Sequence, residues 1–292
     1  MKIQEPSPQT IALAVQGQLA AIDEIIEQVQ PGIFNLAVRM LGNRDDAADA
    51  TQEILLKVIT HLSEFRATAA FSTWVYRVAK NHLLTALTRS RESPEISLEA
   101  LGDSLGQGLL FNQTLASPYG EHRVLQPEEK LEAKQIALGC TQKMLMSLDR
   151  EQRLSYILDT VFGLSSTEAA AVLEVSADAH RQRLSRARSR LNRFAGTFCG
   201  LASETAACQC EKQIPAVRHL AAAPGAAPRP LVAIHPTEQA ELLGNFEALV
   251  RLGDASALIK AHPAYRSPDR MRQAIRAVLS AEGFFSARKP LQ

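Results

Sequence analysis

This chain is short of net charge, of aromatic residues, of long apolar runs and of cysteine, and each shortage removes a class of protein. Aromatic residues make up 5% of its 292 residues, which argues against a large β-sandwich or a groove that stacks sugars. No apolar stretch reaches the roughly 20 residues of a membrane span, so no membrane insertion is expected. The opening MKIQEPSPQT is polar and holds Pro6 and Pro8, unlike a secretory signal; the expected location is the cytoplasm. There the four cysteines, Cys140, Cys199, Cys208 and Cys210, are not expected to form structural disulfides. Catalytic signatures are missing too. There is no Ser-His-Asp constellation, Gly-rich phosphate loop or His-Glu-x-x-His helix. An enzyme would have to rest on the cysteines alone, and the chain is read as a non-enzyme. A formal charge of +1 says nothing about nucleic acid, but acids and bases are segregated along the chain.

What is present forms helices. Ala, Leu, Gln, Glu and Arg dominate and strand-like alternation is scarce, so the predicted fold class is all-α. The pattern predicts a helix over 10–28, a break at Pro31-Gly32, and a second helix ending at Leu41 before Gly42-Asn43. A longer helix follows over 45–63, with Ile54, Leu55, Val58, Ile59 and Leu62 at helical spacing. Ser72 or Thr73 is placed to cap the next, which runs to Arg91. Over 93–126 the period dissolves, and Gly102, Gly106, Gly108, Pro118 and Gly120 punctuate it. That stretch reads as a linker between two domains, 1–92 and 127–195. In the second domain Asp149/Gln152 and Ser165/Glu168 look like capping boxes, and Ser176 is a third cap. They delimit helices over 150–162, 166–174 and 177–195, a helix-turn-helix arrangement. Residues 196–292 form a mainly helical extension, interrupted by a second linker, AAAPGAAPRP.

Two charged segments stand out. In the 45–63 helix, Asp45, Asp49 and Glu53 lie i, i+4, i+8 on one face, with Asp46 beside them. Carboxylates near a helix N-terminus gain from its dipole, yet like charges four apart cost about 0.2–0.5 kcal/mol per pair. Such a face suits a basic partner, and a solvated face relieved by Glu53–Lys57 explains the same charges. Next comes FRATAAFSTW (65–74), then Arg77, Lys80, Arg89 and Arg91 with no acid before Glu92. Basic groups hold phosphates and rings stack on unpaired bases; the loop Arg66–Ser72 suits an extruded base. Phe71 and Trp74, at helical spacing, equally suit a core.

The 177–195 helix carries Arg181, Arg183, Arg186, Arg188, Arg190 and Arg193 with no acid after Asp178. At about 100° per residue, His180, Leu184, Ala187, Leu191 and Phe194 share an inward stripe, while Gln182, Ser185 and Ser189 point away. A basic amphipathic second helix fits a major groove. Its N-terminal residues would read bases and its later arginines would hold phosphates. His180, on the apolar stripe, is read as packed rather than as a base reader or metal ligand.

DDAADATQEILLKV, FRATAAFSTWVYRVAKNHLLTALTRSR and LDREQRLSYILDTVFGLSSTEAAAVLEVSADAHRQRLSRARSRL together resemble the extracytoplasmic-function (group IV) sigma factors of the sigma-70 family, specificity subunits of bacterial RNA polymerase. The resemblance covers about half the chain, in the family's order. It implies a region 2 bundle (1–92) that binds polymerase and recognises and melts the minus-ten element. It also implies a region 4 helix-turn-helix (127–195) for the minus-thirty-five element. Asp45, Asp46, Asp49, Gln52 and Glu53 would face the β′ clamp helices. Arg66, Phe71, Ser72, Thr73, Arg77, Lys80 and Asn81 would meet minus-ten DNA, and Arg181, Gln182, Arg183, Ser185, Arg186 and Arg188 the minus-thirty-five duplex. Core polymerase, including its β subunit, and promoter DNA are the implied partners, with the linker threading toward the active site and RNA exit. The competing reading is a helix-turn-helix regulator that never joins polymerase, but such a regulator has no use for the 45–91 block. Three departures stand out: Leu148-Asp149 for Leu-Pro, Glu174 where the turn commonly has glycine, and Asp178-Ala179-His180-Arg181 for a Gly-Thr-Val-Lys-like run. If that turn needs positive φ, Glu174 costs on the order of 1 kcal/mol.

Minimal members of that family end near Phe194, so the last hundred residues are extra. They open with Cys199, Cys208 and Cys210, with His219 further on. These thiols are candidates for zinc or redox chemistry, although the spacing matches no standard finger, and small inert cysteines explain them as well. No cofactor is otherwise expected. The extension itself, or a separate anti-sigma protein, is the expected regulator.

Overall fold

The computed structural model describes residues 2–89, 97–120, 123–222, 235–249 and 254–281. The regular secondary structure of the described residues is helical, apart from one isolated bridge between Cys199 and Cys208. In chain order the helices are α1 (Pro8–Val15), α2 (Leu19–Leu41), α3 (Arg44–Thr60), α4 (Phe71–Arg89), α5 (Leu98–Gln113), α6 (Pro127–Met146) and α7 (Arg150–Tyr156). Then come α8 (Ser166–Leu173), α9 (Ala177–Phe198), α10 (Ile214–Ala222), α11 (Pro236–Leu249), α12 (Ala255–Lys260) and α13 (Met271–Ala281). None is long and apolar enough to cross a membrane, among the described residues. Arg91, most of AAAPGAAPRP and the end of the extension lie outside the described residues.

The chain divides into two compact units: Met1–Glu92 with Ile157–Arg181 and Ala264–Gln292, and Ser93–Tyr156 with Gln182–Pro263. In the first, α2, α3 and α4 pack round a core that includes Ile25, Ile26, Val29, Ile33, Leu36, Ile54, Leu55, Val58 and Val75, each without measurable exposure. The expected break at Pro31 does not occur. α2 runs through it, and the interruption falls at Gly17, whose φ of +85° ends α1. An interior proline costs about 3 kcal/mol, but Val29, Ile33 and Phe34 around it are buried, and that packing holds the helix together. Nor does Ser72 or Thr73 start α4. The helix begins at Phe71, and Glu5 caps it from a distance, accepting from the N–H groups of Phe71 and Ser72 at 3.0 Å each.

The C-terminal segment belongs to this unit. Asn35 accepts the Tyr265 N–H (2.9 Å) and donates to the Tyr265 carbonyl (2.8 Å), as a strand neighbour would. The fully buried Arg39 donates to the Asn35 side chain (2.8 Å) and lies over the Tyr265 ring (4.9 Å). α13 packs on α3 and reaches α2 through Arg276–Asp23 (Nε to Oδ1 2.7 Å) and Arg272–Glu27 (3.4 Å).

In the second unit α5 occupies nearly half of the stretch expected to be a linker. Gly102 and Gly108 are close-packing sites, not turns, whereas Gly106 faces open space within the helix. A Cβ at Gly102 would stand 2.9 Å from the Phe198 ring, and one at Gly108 1.9 Å from Gln213 Oε1. Ser97 caps the helix, accepting from the Ala100 N–H at 3.0 Å. α6 starts with a capping box, Gln126 with Glu129. Glu129 also accepts from Tyr119 (2.6 Å) and Arg123 (2.8 Å). These donors, Tyr119 foremost, hold its carboxyl down at about 2. Arg153 closes the other end of α6, donating to the carbonyls of Leu145, Met146 and Leu148 at 3.1, 2.7 and 3.0 Å.

Candidate functional site

The acidic row sits on α3, which Asn43 caps by accepting from the N–H groups of Asp45 (2.8 Å) and Asp46 (3.2 Å). Ala47, Ala50, Ile54 and Leu55 turn into the core, so Asp45, Asp46, Asp49 and Glu53 are left exposed, with Gln52 half-buried beside them. Asp45, Asp46 and Asp49 form no ion pair among the described residues. The relief expected from Lys57 does not reach Glu53: Glu53 pairs with His82 at 3.8 Å, and Lys57 Nζ stands 3.0 Å from His82 Nδ1.

The segment assigned to minus-ten DNA divides. Phe65, Phe71 and Trp74 pack on one another with centroids 5.3–5.7 Å apart, and Phe71 is 2% exposed, so Phe71 is core. Thr73 is buried as well. Arg66 and Asn81 are exposed, Ser72 half-buried, and Ala67 in the intervening loop holds a φ of +53°. α8 packs on α4 and engages its bases: Arg77 Nε donates to the Ala171 carbonyl at 2.9 Å, and the buried Lys80 donates to Glu174. Glu174 is the residue in the helix-turn-helix turn, and its φ is +58°. An L-residue there is strained; the hydrogen bond from Lys80 gives the side chain a local use and holds its carboxyl below the usual range.

The helix-turn-helix signals hold locally. Ser165 and Glu168 form a complete capping box (3.2 and 2.6 Å), and Ser176 accepts from the Ala179 N–H at 3.1 Å. Asp149 makes only its half, accepting from the Gln152 N–H at 2.8 Å. Before α8 the backbone widens into a π turn over Ile157–Val161. His180, Leu184, Ala187, Leu191 and Phe194 are all buried, and His180 Nε2 faces Asp159 at 3.5 Å, in keeping with a packed histidine. On the outer faces Arg181, Gln182, Ser185, Arg186 and Arg188 are exposed. Arg181 pairs with Asp178, and the half-buried Arg183 with Glu151 at 2.7 Å.

A group that spacing alone did not assemble lies in the second unit. Cys140 of α6 joins Cys199, Cys208 and Cys210 around one cavity lined otherwise by Leu105, Ile136, Ala137, Thr141, Met144, Leu201, Gln213 and Leu258. All four thiols are free and half-buried. Burial pushes Cys140 up to about 12, and burial first, then the neighbouring thiols, pushes Cys210 well above its ordinary value. Such thiols are poor nucleophiles near neutral pH. His219 is turned to Phe111, ring centroids 5.0 Å apart. No group of three or more His, Cys, Asp or Glu is already arranged to hold a metal ion among the described residues.

Comparison with known proteins meets this geometry at two places. A family described as Sigma-70 region 2 matches residues 25–92, and one described as Sigma-70, region 4 matches 138–191. RNA polymerase sigma-H factor of Pseudomonas aeruginosa is 28% identical over 197 residues, covering 66% of this chain and 95% of its own. ECF RNA polymerase sigma factor SigW of Bacillus subtilis is 25% identical, covering 61% and 90%. ECF RNA polymerase sigma factor SigE of Mycolicibacterium smegmatis is 30% identical, covering 65% and 70%.

Proposed function

Because the chain belongs to the extracytoplasmic-function RNA polymerase sigma factors, we propose a division of labour among its charged faces that lets it direct core polymerase to promoters. The protein is an initiation factor. It lends promoter choice and strand opening to the polymerase, whose own active site makes the RNA, and it works in the cytoplasm. The carrying observation is the acidic row on α3, where Asp45, Asp46, Asp49 and Glu53 stay exposed on a helix whose other face is fully packed. Desolvating such a row is costly unless a basic surface receives it. The β′ clamp helices are that surface in our reading, with Gln52 beside the acids.

Arg66, Ser72 and Asn81 meet the opened minus-ten strand. Arg77 and Lys80 join them only when their contacts with α8 are released, and Phe71 and Thr73 support the loop from within. On α9, Gln182, Ser185 and Arg186 read the minus-thirty-five element from the outer face. Arg181, Arg183 and Arg188 act on its backbone, Arg183 after leaving Glu151. The tail from Tyr265 to α13 regulates region 2 in cis, because it is hydrogen-bonded to Asn35 and ion-paired to α2.

Run-off transcription with purified core polymerase tests the reading. Asp49→Lys with Glu53→Lys is expected to weaken core binding by about 100-fold or more, since like charges across an interface cost several kcal/mol. Full core binding by that double variant would overturn the assignment.

A further inference from the structure

We propose that Cys140, Cys199, Cys208 and Cys210 form a four-thiolate site for one thiophilic divalent ion of the zinc class. They are all the cysteines of a 292-residue chain, and they come from three places in it. Cys140 lies on α6, Cys199 directly follows α9, and Cys208 and Cys210 lead into the turn Cys210–Gln213 before α10. All four line the same cavity. Four thiolates are a complete tetrahedral set, the closed coordination of a structural zinc site.

The surroundings are organised for sulfur. The Cys199–Cys208 bridge, with the Gly200 N–H donating to the Cys208 carbonyl at 2.8 Å, sets those two backbones side by side. Only glycine fits there: a Cβ at Gly200 would stand 2.6 Å from that carbonyl. The Ala202 and Ser203 N–H groups donate to the Cys199 carbonyl at 3.0 and 2.9 Å, which closes the turn that carries this cysteine. Gln213 Nε2 stands 3.5 Å from Cys208 Sγ and is held by the Leu105 carbonyl at 3.0 Å. A donor aimed at sulfur stabilises a thiolate; a disulfide has little use for one. The remaining walls are mostly apolar, which keeps competing water away.

The sulfurs are not yet at ligand spacing, so binding includes rotation of cysteine side chains about χ1. The ion displaces four protons, one from each thiol, leaving a complex of net charge −2 beside the Gln213 amide. Its consequence is structural: it clips the start of the extension to α6, the helix that leads into the helix-turn-helix.

The test uses the full chain purified under reducing, chelator-free conditions. Elemental analysis should find about one zinc-class ion per chain, as a single closed site requires. Replacement by Co(II) should give the visible bands of a tetrahedral all-sulfur site, and bound metal should protect the four thiols from alkylation. Cys140→Ser and Cys210→Ser should each weaken binding by more than the roughly 10–100-fold that follows loss of a mere outer partner of a ligand. If these variants do not fold, the stoichiometry and cobalt spectrum of the unaltered chain decide. Only trace metal with no thiolate band overturns the proposal, as does a peroxide-formed disulfide in place of metal binding. Unchanged affinity in a folded Cys140→Ser variant overturns the four-thiol set.

Discussion

α4 and α9 are both basic helices, yet they put their charge to different use. On α9 the apolar stripe from His180 to Phe194 is buried and Arg186, Arg190 and Arg193 stand exposed. On α4 the bases turn toward protein: Arg77 to the Ala171 carbonyl and Lys80 to Glu174. A row of cations therefore stays open to solvent only where no neighbouring element offers it an acceptor. The acids divide in the same way. Those of α3 stay exposed, whereas Glu129 of α6 is enclosed by Tyr119, Arg123 and its own helix start.

The contrast is sharpest at Arg186. Arg186→Ala is expected to cost about 1–3 kcal/mol in binding a minus-thirty-five duplex, with core binding unchanged, as fluorescence anisotropy would report. An unchanged affinity would mean that exposure on α9 does not mark the reading face. Glu129 tests an engaged acid. Its carboxyl lies at about 2, below the ordinary 4.5. Its contribution to stability is therefore full above about 4.5 and is lost as pH falls toward about 2. Glu129→Gln should be less stable at neutral pH and should flatten that acid limb in denaturation curves.

Glu174→Gly separates strain from pairing. Glycine removes the cost of the left-handed residue, about 1 kcal/mol, and frees Lys80. Binding of a single-stranded minus-ten oligonucleotide should tighten by a few-fold, and Lys80→Ala in the same chain should abolish the gain. No gain would show that α8 does not restrain α4. The smallest effect belongs to the tail. Arg276→Ala breaks an exposed pair worth about 0.2–1 kcal/mol, so thermal stability should fall only slightly. Protease cleavage around Tyr265 should hardly change, because Asn35 still holds that backbone.

Local signals were readable without coordinates wherever the partner lay within a turn or two. The Ser165/Glu168 box, the Ser176 cap and the alternation of buried and exposed positions along α9 are all of that kind. So is the exposure of the acids on α3, since the face opposite Ile54 and Leu55 has to look outward. The misses all involve distant partners. Pro31 is carried through α2 by packing, the helix start at Phe71 depends on Glu5, and Gly102 and Gly108 belong inside α5 because Phe198 and Gln213 press on them.

From the sequence by itself came an all-helical chain, the order of its acidic, aromatic and arginine-rich segments, and with them the sigma-factor reading. Hydrophobic period and capping act over a few residues, so they are written in the chain. Only the tertiary structure decided that Lys80 meets Glu174, that Tyr265 returns to Asn35, and that Cys140 joins three cysteines some sixty residues away. Those pairings depend on which surfaces bury one another, and no local periodicity records that.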